Sequence, residues 1–137
     1  SMAGVKVDLN VRGFCCLRPG VPGVSDHIRV TSIVDRFLEH SRICYFHNGG
    51  EPEMLLGSAD LRPRNLGRRV ETLFPVKDPA LRDAIFDTIL RTHLSDSVKA
   101  RELHSDGEYT RVVPGEEKVP LRSQEWFIEH RGAWHRR

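Results

Sequence analysis

The sequence predicts a single domain of the α/β or α+β class. Three observations predict it. The chain has 137 residues, which is a length typical of one domain. Alternating apolar patterns typical of strands recur along the chain and interleave with helical patterns. The hydrophobic and charged fractions, 39% and 29%, are those of a soluble globular protein.

The composition argues against several kinds of protein. The formal net charge is +2, which by itself points to no particular partner. No run of eighteen apolar residues occurs, so the sequence predicts no transmembrane segment. The cysteines are odd in number and lack the paired spacing of a disulfide framework or a metal site. We therefore expect buried free thiols and a reducing cytosol for Cys15, Cys16 and Cys44.

The start of the chain predicts a domain cut from a longer polypeptide. Ser1 and Met2 are typical of an expression remnant, so we place the domain at residues 3–137. A strand pattern begins at Val5 without a leader, and no secretory signal is present.

The first part of the chain predicts a strand, a loop and a helix. The strand has apolar residues at every second position, namely Val5, Val7, Leu9 and Val11. Proline and glycine at residues 19–23 predict the loop. Ser32 and Asp35 have the spacing of a capping box, which predicts a short helix over residues 32–40 that ends near His40. Its apolar stripe consists of Ile33, Val34, Phe37 and Leu38.

The middle of the chain predicts a hairpin followed by a third strand. Residues 42–46 and 53–59 have the composition of strands, and the Asn-Gly-Gly sequence at 48–50 is a strong turn signal between them. Residues 68–76 predict the third strand.

The last part of the chain predicts two helices with a strand between them. Asp78 is placed to cap a helix over residues 78–94, with Pro79 at its first position. The predicted buried face of this helix consists of Leu81, Ile85, Ile89 and Leu90. Residues 107–113 predict a strand. Helical spacing returns over residues 121–134, with apolar anchors at Leu121, Trp126 and Ile128.

A symmetrical hairpin would gather polar side chains at one end of the sheet. A loop of residues 48–52 places His47 opposite Glu53, and directly opposed residues share a face. The opposed pairs that follow are Cys44 with Leu56, Arg42 with Ser58, and His40 with Asp60. The apolar base of this face consists of Cys44, Phe46, Met54 and Leu56. The prediction depends on the register, because a slip of one residue moves side chains to the other face.

The residue types in this polar patch suit a phosphate group. Arg42 supplies charge-assisted, bidentate donors. His40 can donate to an oxyanion or act as a nucleophile, and the carboxylate of Asp60 can orient its ring. Arg12, at the end of the first strand, could reach the same sheet end if the strands are neighbours. Further arginines follow at Arg62, Arg64, Arg68 and Arg69.

Each of these residues also has a structural interpretation. His40 at a helix C-terminus can interact with the helix dipole. Ser58 and Asp60 can cap the loop that follows them. The arginine cluster can be a solvated face, and Arg12 can be an ordinary charge at a strand end. We favour a functional site because the predicted register brings several of these residues together independently.

Two stretches resemble a known phosphate-binding signature. The sequence H-x-R at His40, followed by "GSAD", resembles the H-x-K … G-S-x-N signature of the phospholipase D superfamily. Arg42 stands in place of the lysine and Asp60 in place of the asparagine. The resemblance implies a phosphate site presented on a mixed sheet flanked by helices, and the two departures weaken any claim of phosphodiesterase chemistry.

A second resemblance covers nearly the whole chain. Its residues are "VKVDLNVRGFCCLRPGVPGVSDHIRVTSIVDRFLEHSRICYFHNGG", "GSADLRPRNLGRRVE" and "DSVKAREL". They resemble the second of two phospholipase-D-like C-terminal domains in bacterial polyphosphate kinases. The resemblance implies a single phospholipase-D-like domain from an enzyme that reversibly moves the γ-phosphate of ATP onto polyphosphate. It also implies that the phosphorylated histidine of this family lies in the preceding domain, outside this chain.

The same resemblance implies roles for individual residues. Arg12 matches a position that binds ATP phosphate. His40 matches a second essential histidine that contacts the nucleotide and supports catalysis. Weaker candidates for holding or guiding phosphate are Arg42, Ser58, Asp60, Arg64 and Arg69. No metal ligand is assigned in this chain, since the Mg²⁺ expected for the full-length enzyme would have its ligands elsewhere.

The resemblance further implies the partners. These are ATP, ADP and polyphosphate, the remaining domains of the same polypeptide, and further copies in a homo-oligomer of the full-length enzyme. It implies no nucleic acid, and a cytoplasmic location that extends to the periphery of the inner membrane. The isolated chain is expected to be inactive.

Two alternatives remain open from the residues. The chain could be a polyanion-binding or assembly module without a chemical role, which the arginine cluster favours. It could also be a phospholipase-D-type phosphodiesterase, which would need two copies of the His40 motif around one site and therefore a dimer.

Overall fold

The computed structural model describes residues 1–115 and 119–132 of the chain. Their contacts divide the chain into two compact units. The first unit combines residues 1–38 with the described residues from Arg91 onward, and the second consists of residues 39–90. A four-stranded sheet lies in the first unit and a three-stranded sheet in the second. Strands and helices occur in both units, as the α/β class requires.

The strands in chain order are β1 (Val7–Asn10), β2 (Ile28–Ile33), β3 (Arg42–Phe46), β4 (Glu53–Gly57), β5 (Leu73–Pro75), β6 (Ala100–Leu103) and β7 (Tyr109–Arg111). The helices are α1 (Pro63–Arg68), α2 (Pro79–Ala84), α3 (Arg91–Leu94) and α4 (Ser123–Glu129), with a π-helical segment, Ile85–Leu90, between α2 and α3. Within the part of the chain that the structure describes, no helix has the length and apolar character needed to cross a bilayer.

The sheet of the first unit is mixed and has the order β1-β2-β6-β7. β1 and β2 pair in parallel, whereas β6 is antiparallel to both β2 and β7. The predicted first strand is confirmed over Val7–Asn10, where Val7 and Leu9 are less exposed than their neighbours. A parallel pair needs a crossover, and the predicted loop at residues 19–23 lies within it. The buried apolar residues of this unit are Val30, Ile33, Ala100 and Leu103.

The predicted helix over residues 32–40 is wrong. Ser32 and Ile33 belong to β2, which pairs with a strand on each side and is buried over its last four residues. After β2, the carboxamide of Gln124 accepts a hydrogen bond from the Phe37 N–H (2.8 Å) and donates one to the Phe37 carbonyl (2.9 Å). Gln124, 87 residues away in the chain, therefore satisfies the hydrogen-bonding groups of the Phe37 backbone without a helix. The stripe residues after Ile33 are exposed: Val34, Phe37 and Leu38.

Asp96 joins three segments of the first unit. It lies just after α3 and is only 2% exposed. Its Oδ1 accepts hydrogen bonds from the backbone N–H groups of residues 98–100 at 2.7–3.1 Å. Its Oδ2 accepts from the N–H and the hydroxyl of Ser123, both at 2.7 Å, at the first residue of α4. Burial alone would raise the pKa of Asp96, but hydrogen bonds led by those from the Ser123 and Lys99 N–H groups hold it below the ordinary value.

Asp35 has a related structural role rather than the predicted capping role. Arg122 donates two hydrogen bonds of 2.8 Å to its two carboxylate oxygens, and the side chain of Asp35 is only 3% exposed. The hydrogen bond from Arg122 is the main cause that lowers the pKa of Asp35, and it outweighs burial. The pair ties the segment after β2 to the residue that precedes α4.

The hairpin in the second unit is confirmed, but its predicted register is wrong by one residue. β3 pairs with β4 in an antiparallel ladder that begins at Phe46 opposite Glu53 and ends at Arg42 opposite Gly57. The predicted Asn-Gly-Gly turn is present at 48–50, with φ values of +46°, +65° and +101°. The loop holds six residues, 47–52, instead of the predicted five, and the extra residue shifts every pair. Cys44 therefore lies opposite Leu55 and not Leu56.

The helix predicted at 78–94 is confirmed as three consecutive segments, α2, the π-helical Ile85–Leu90 and α3. Asp78 caps α2 as predicted, since its Oδ1 accepts from the Leu81 N–H at 2.9 Å. Leu81 itself is exposed, so its place on the buried face was predicted wrongly. The π-helical segment presents Phe86, whose ring stacks on Tyr45 of β3 at 4.2 Å between centroids.

The remaining predicted elements are shorter than expected. The strand predicted at 68–76 is confirmed as β5, and the one at 107–113 as β7. The helix predicted at 121–134 forms α4, and residues 133–134 lie outside the described residues. Of its predicted anchors, Ile128 is exposed. β2 and β6 were not predicted.

Candidate functional site

The end of the hairpin away from its turn carries a polar cluster centred on Arg42, the first residue of β3. The Arg42 Nη1 donates to the carbonyl of His40 at 2.5 Å and to that of Ser41 at 3.3 Å. Its Nη2 forms a hydrogen-bonded ion pair with Oδ1 of Asp60. One guanidinium therefore connects the segment before β3 with the segment after β4.

His40 lies beside this cluster with its imidazole exposed. No hydrogen bond, ion pair or ring contact of the imidazole is found among residues 1–115 and 119–132. Among the described residues, His40 is held through its backbone carbonyl, which accepts a hydrogen bond from Arg42. An exposed neutral imidazole can both donate and accept, so the ring is available to a ligand.

The cluster differs from the predicted one in three ways. The ladder ends at Arg42 opposite Gly57, so His40 and Asp60 are not a strand pair as predicted. The carboxylate of Asp60 binds Arg42 and not the His40 ring among the described residues. Ser58 lies opposite no residue of β3, because β4 ends one residue earlier, and it is exposed. Arg42 and Asp60 still meet because an arginine side chain is long enough to span the shifted register.

A small cleft adjoins Arg42 in the second unit. Its volume is about 230 Å³, and its walls come from β3, β4, β5 and the π-helical segment. Its apolar lining includes Ile43, Leu56, Phe74 and Ile89. The predicted apolar base is wrong, because Met54 and Leu56 pair with Tyr45 and Ile43 and therefore lie on the other face of the hairpin from Cys44 and Phe46. Of the four predicted residues, Leu56 lines this cleft and Phe46 is exposed. Phe74 and Ile89 could not be assigned to it without the pairing of β4 with β5.

The predicted arginine cluster forms an exposed basic surface on and around α1. Arg64 and Arg68 are four residues apart on α1, so they share a face of the helix. Arg62 precedes α1, and Arg69 follows it. Arg69 pairs with Glu71 at 3.2 Å, and Glu71 also accepts from the buried Asn65 amide at 2.7 Å. The surface therefore keeps a positive excess of arginine over acid.

Arg12 lies in the first unit, two residues after β1, and is half-buried. Arg12 was predicted to reach the polar patch only if its strand lies next to the hairpin strands. This condition is not met, because β1 pairs with β2 in the four-stranded sheet and not with β3 or β4. The loop that follows Arg12 lines a cleft of about 720 Å³ together with β6 and residues up to Tyr109. Cys15 and Cys16 belong to this lining. Cys15 and Cys44 are half-buried and Cys16 is exposed, so the expectation of buried thiols is wrong for Cys16 and met only in part for the other two.

The described residues offer no ligand set for a metal ion. Over residues 1–115 and 119–132, no group of three or more histidine, cysteine or acidic side chains is placed to hold one. In the cluster at Arg42, the exposed imidazole of His40 is a group that can donate a hydrogen bond to an anion.

Comparison with known proteins identifies the family. Residues 1–124 match the family model described as "Polyphosphate kinase C-terminal domain 2". The chain belongs to the polyphosphate kinase family. It is 56% identical to polyphosphate kinase 1 of Chlorobaculum tepidum over 131 residues, which is 96% of this chain and 18% of that protein. It is 55% identical to polyphosphate kinase of Rhodopirellula baltica, over 97% of this chain and 16% of that protein.

The fold comparison agrees. The crystal structure of polyphosphate kinase from Porphyromonas gingivalis matches 98% of this chain with a TM-score of 0.88 and 44% identity. The match confirms the predicted family and the mixed, phospholipase-D-like α/β class. This chain covers 20% of that chain, and it spans less than a fifth of the length of the two curated relatives.

Proposed function

We propose that this chain contributes phosphate-binding residues to the active site of a polyphosphate kinase. That enzyme reversibly transfers the γ-phosphate of ATP to polyphosphate through a phosphohistidine formed outside this chain. Family membership supports the reaction. The observation that carries the site is His40, which is exposed and whose backbone carbonyl is bound by the Arg42 guanidinium.

Phosphoryl transfer requires positioning of the reacting groups and cancellation of negative charge, with little covalent chemistry from the protein. In this proposal His40 donates to a phosphate oxygen and acts as an electrostatic partner of the phosphorylated histidine. Arg12 holds ATP phosphate, and Arg64 and Arg69 guide the polyphosphate chain. As the family resemblance implies, we assign the Mg²⁺ of the full-length enzyme to ligands elsewhere in the polypeptide.

The proposal brings with it the partners that the family implies. They are ATP, ADP and polyphosphate as substrates and products, the remaining domains of the polypeptide, and further copies of the full-length protein in a homo-oligomer. It places the enzyme in the cytoplasm.

The test is substitution in the full-length protein that contains this chain. We expect His40→Ala and Arg12→Ala each to lower the rate of polyphosphate synthesis by about 100-fold or more. His40→Ala would remove a positioned hydrogen-bond donor, and Arg12→Ala would remove a charged phosphate ligand. His47→Ala is the matched control, because His47 is an exposed histidine at the turn end of the same hairpin. Near-normal synthesis in both test variants would eliminate the proposal.

The isolated chain should not catalyse the reaction. Its described residues would supply only one side of the site, and the nucleophilic histidine would be missing. ATP-dependent polyphosphate synthesis by the 137-residue chain alone would show that the nucleophile has been misplaced.

The basic surface at α1 favours a second candidate, a polyanion-binding module without a chemical role. Binding of polyphosphate would then weaken steeply with added salt and persist in His40→Ala. An Arg64→Ala/Arg68→Ala variant would lose it, because both arginines lie on one face of α1. If His40→Ala abolishes synthesis while polyphosphate affinity is retained, the active-site proposal prevails.

A further inference from the structure

We propose that Arg42 and Asp60 position His40 and are not themselves phosphate ligands. This inference rests on the proposed function of His40 and assigns a role to a pair that was predicted from sequence to bind phosphate. The pair is called the Arg42–Asp60 clamp below. The observation is that one guanidinium binds the His40 carbonyl, the Ser41 carbonyl and the Asp60 carboxylate.

The clamp lies where the strand ladder stops. The backbone pairing of β3 with β4 ends at Arg42 opposite Gly57, so residues 40–41 and 58–60 extend beyond it. Asp60 is itself set in a turn, because its carbonyl accepts from the Arg62 N–H at 2.8 Å. Through Arg42, this turn holds the backbone of His40, and the position of the imidazole follows from the position of that backbone.

The chemistry of the guanidinium suits this role. Arginine presents five donors in a rigid planar fork, so it can bind two carbonyls and a carboxylate at once. The Arg42 side chain is 20% exposed and that of Asp60 is 36% exposed, which leaves the pair less screened than one on the open surface. A lysine would carry the charge but could not reproduce the fork.

The geometry argues against direct phosphate binding by Arg42. Both Nη1 and Nη2 already have protein partners, and one of these partners is anionic. A phosphate on the same side of the guanidinium would face the negative charge of Asp60. The two roles therefore make opposite predictions for Asp60→Ala, which would free Arg42 for a ligand but would release His40 from the clamp.

The kinetic test uses the full-length protein. We expect Arg42→Ala and Asp60→Ala each to lower kcat by about 10- to 100-fold, since small displacements of a positioned group have effects of this size. The KM for ATP should change by less than about threefold, and the double variant should be no slower than the slower single variant, because both remove one interaction. Asp60→Asn should recover most of the loss, because an amide oxygen can still accept from Arg42.

The matched controls are Arg29→Ala and Glu102→Ala. Arg29 and Glu102 form another partly exposed ion pair between sheet strands, at 3.1 Å, in the four-stranded sheet. The variants Arg29→Ala and Glu102→Ala should leave kcat within about twofold of wild type, since the loss of a partly exposed ion pair costs little folding free energy. If Arg42 instead binds phosphate, Arg42→Ala raises KM and Asp60→Ala lowers it, and the inference is overturned.

A second readout tests the clamp independently of activity. In the 137-residue chain, the NMR order parameter of the His40 backbone amide should fall in Arg42→Ala and Asp60→Ala but not in Arg29→Ala. An unchanged order parameter refutes the clamp. A lowered order parameter with normal kcat refutes its role in positioning His40, provided that His40→Ala itself is slow. If His40→Ala has normal activity, the proposed function fails, and the order parameter alone decides whether the clamp exists.

Discussion

The two units use aspartate side chains in different ways. In the first unit Asp96 is 2% exposed, and five donors from the protein surround its two oxygens. In the second unit Asp60 is partly exposed and binds Arg42 at the open end of a hairpin. Asp96 thus joins parts of the fold to one another. Asp60 instead binds Arg42, which holds the backbone of the exposed His40.

The difference separates residues that serve the fold from those available for function. A buried carboxylate is tolerated only when its hydrogen bonds are satisfied, and removing it leaves buried donors without partners. His40 is exposed, and its imidazole has no partner among residues 1–115 and 119–132. Its loss should therefore leave the fold unchanged.

The largest expected loss of stability is in the first unit. Asp96→Ala would leave the N–H groups of residues 98–100 and both donors of Ser123 without their acceptor. We expect the free energy of unfolding to fall by about 3–4 kcal/mol, measured by urea denaturation. Asp106→Ala is the control, because the exposed Asp106 accepts from a single N–H. Equal losses in the two variants would contradict the structural role of Asp96.

Breaking the ion pair between Asp35 and Arg122 should cause the second-largest loss of stability. Arg122→Ala leaves an almost fully buried carboxylate without its two guanidinium donors, and the nearest remaining cation described is the ammonium of Lys99 at 3.8 Å. We expect this variant to be destabilised more than Arg29→Ala and less than Asp96→Ala, since a buried acid suffers more from losing its partner than an exposed one. Urea denaturation of the three variants gives the order, and a loss no larger than that of Arg29→Ala would contradict the assignment.

A substitution in the hairpin should have an intermediate effect on the second unit. A Cβ at Gly57 would lie 2.6 Å from Leu73 Cδ2 and 2.8 Å from the Thr72 carbonyl oxygen. Gly57→Ala must therefore displace β5, and we expect it to cost about 1–3 kcal/mol. Gly67→Ala in α1 meets no atom within 4 Å and should be neutral or slightly stabilising. If thermal melting shows no difference between the two alanine variants, the pairing of β4 with β5 is wrong.

The acid dependence of stability should show a smaller effect. The pKa values of Asp35 and Asp96 are lowered in the folded state. Their contribution is therefore complete above the unfolded pKa of about 3.9 and is lost as the pH falls through the lower folded values. Urea denaturation between pH 7 and acidic pH should show a shallower loss in Asp96→Asn than in wild type. A wild-type stability that does not change below pH 4 would contradict these pKa directions.

Local sequence signals predicted the elements that local interactions specify. The Asn-Gly-Gly turn at 48–50 has the positive φ values that asparagine and glycine adopt most readily. Asp78 and Pro79 marked the start of a helix because a cap and a proline at the first position act within one turn. The proximity of Arg42 to residue 40 in the chain was evident from the sequence, but the predicted helix ending at His40 and its pairing with Asp60 are both wrong.

Signals that depend on distant residues were missed. The helical spacing of residues 32–40 was overridden because β2 has a strand on each side and Gln124 binds the backbone of Phe37. The register of the hairpin depended on one extra loop residue, which composition does not specify. Asp96 was not singled out, because its donors come from residues up to 27 positions away.

The most direct test of the account combines two measurements on His40→Ala. We expect the free energy of unfolding of the 137-residue chain to change by less than about 0.5 kcal/mol. In the full-length protein the same substitution should lower polyphosphate synthesis by about 100-fold or more. A large loss of stability would make His40 a residue of the fold, and normal synthesis would remove it from the active site; either result would contradict the account.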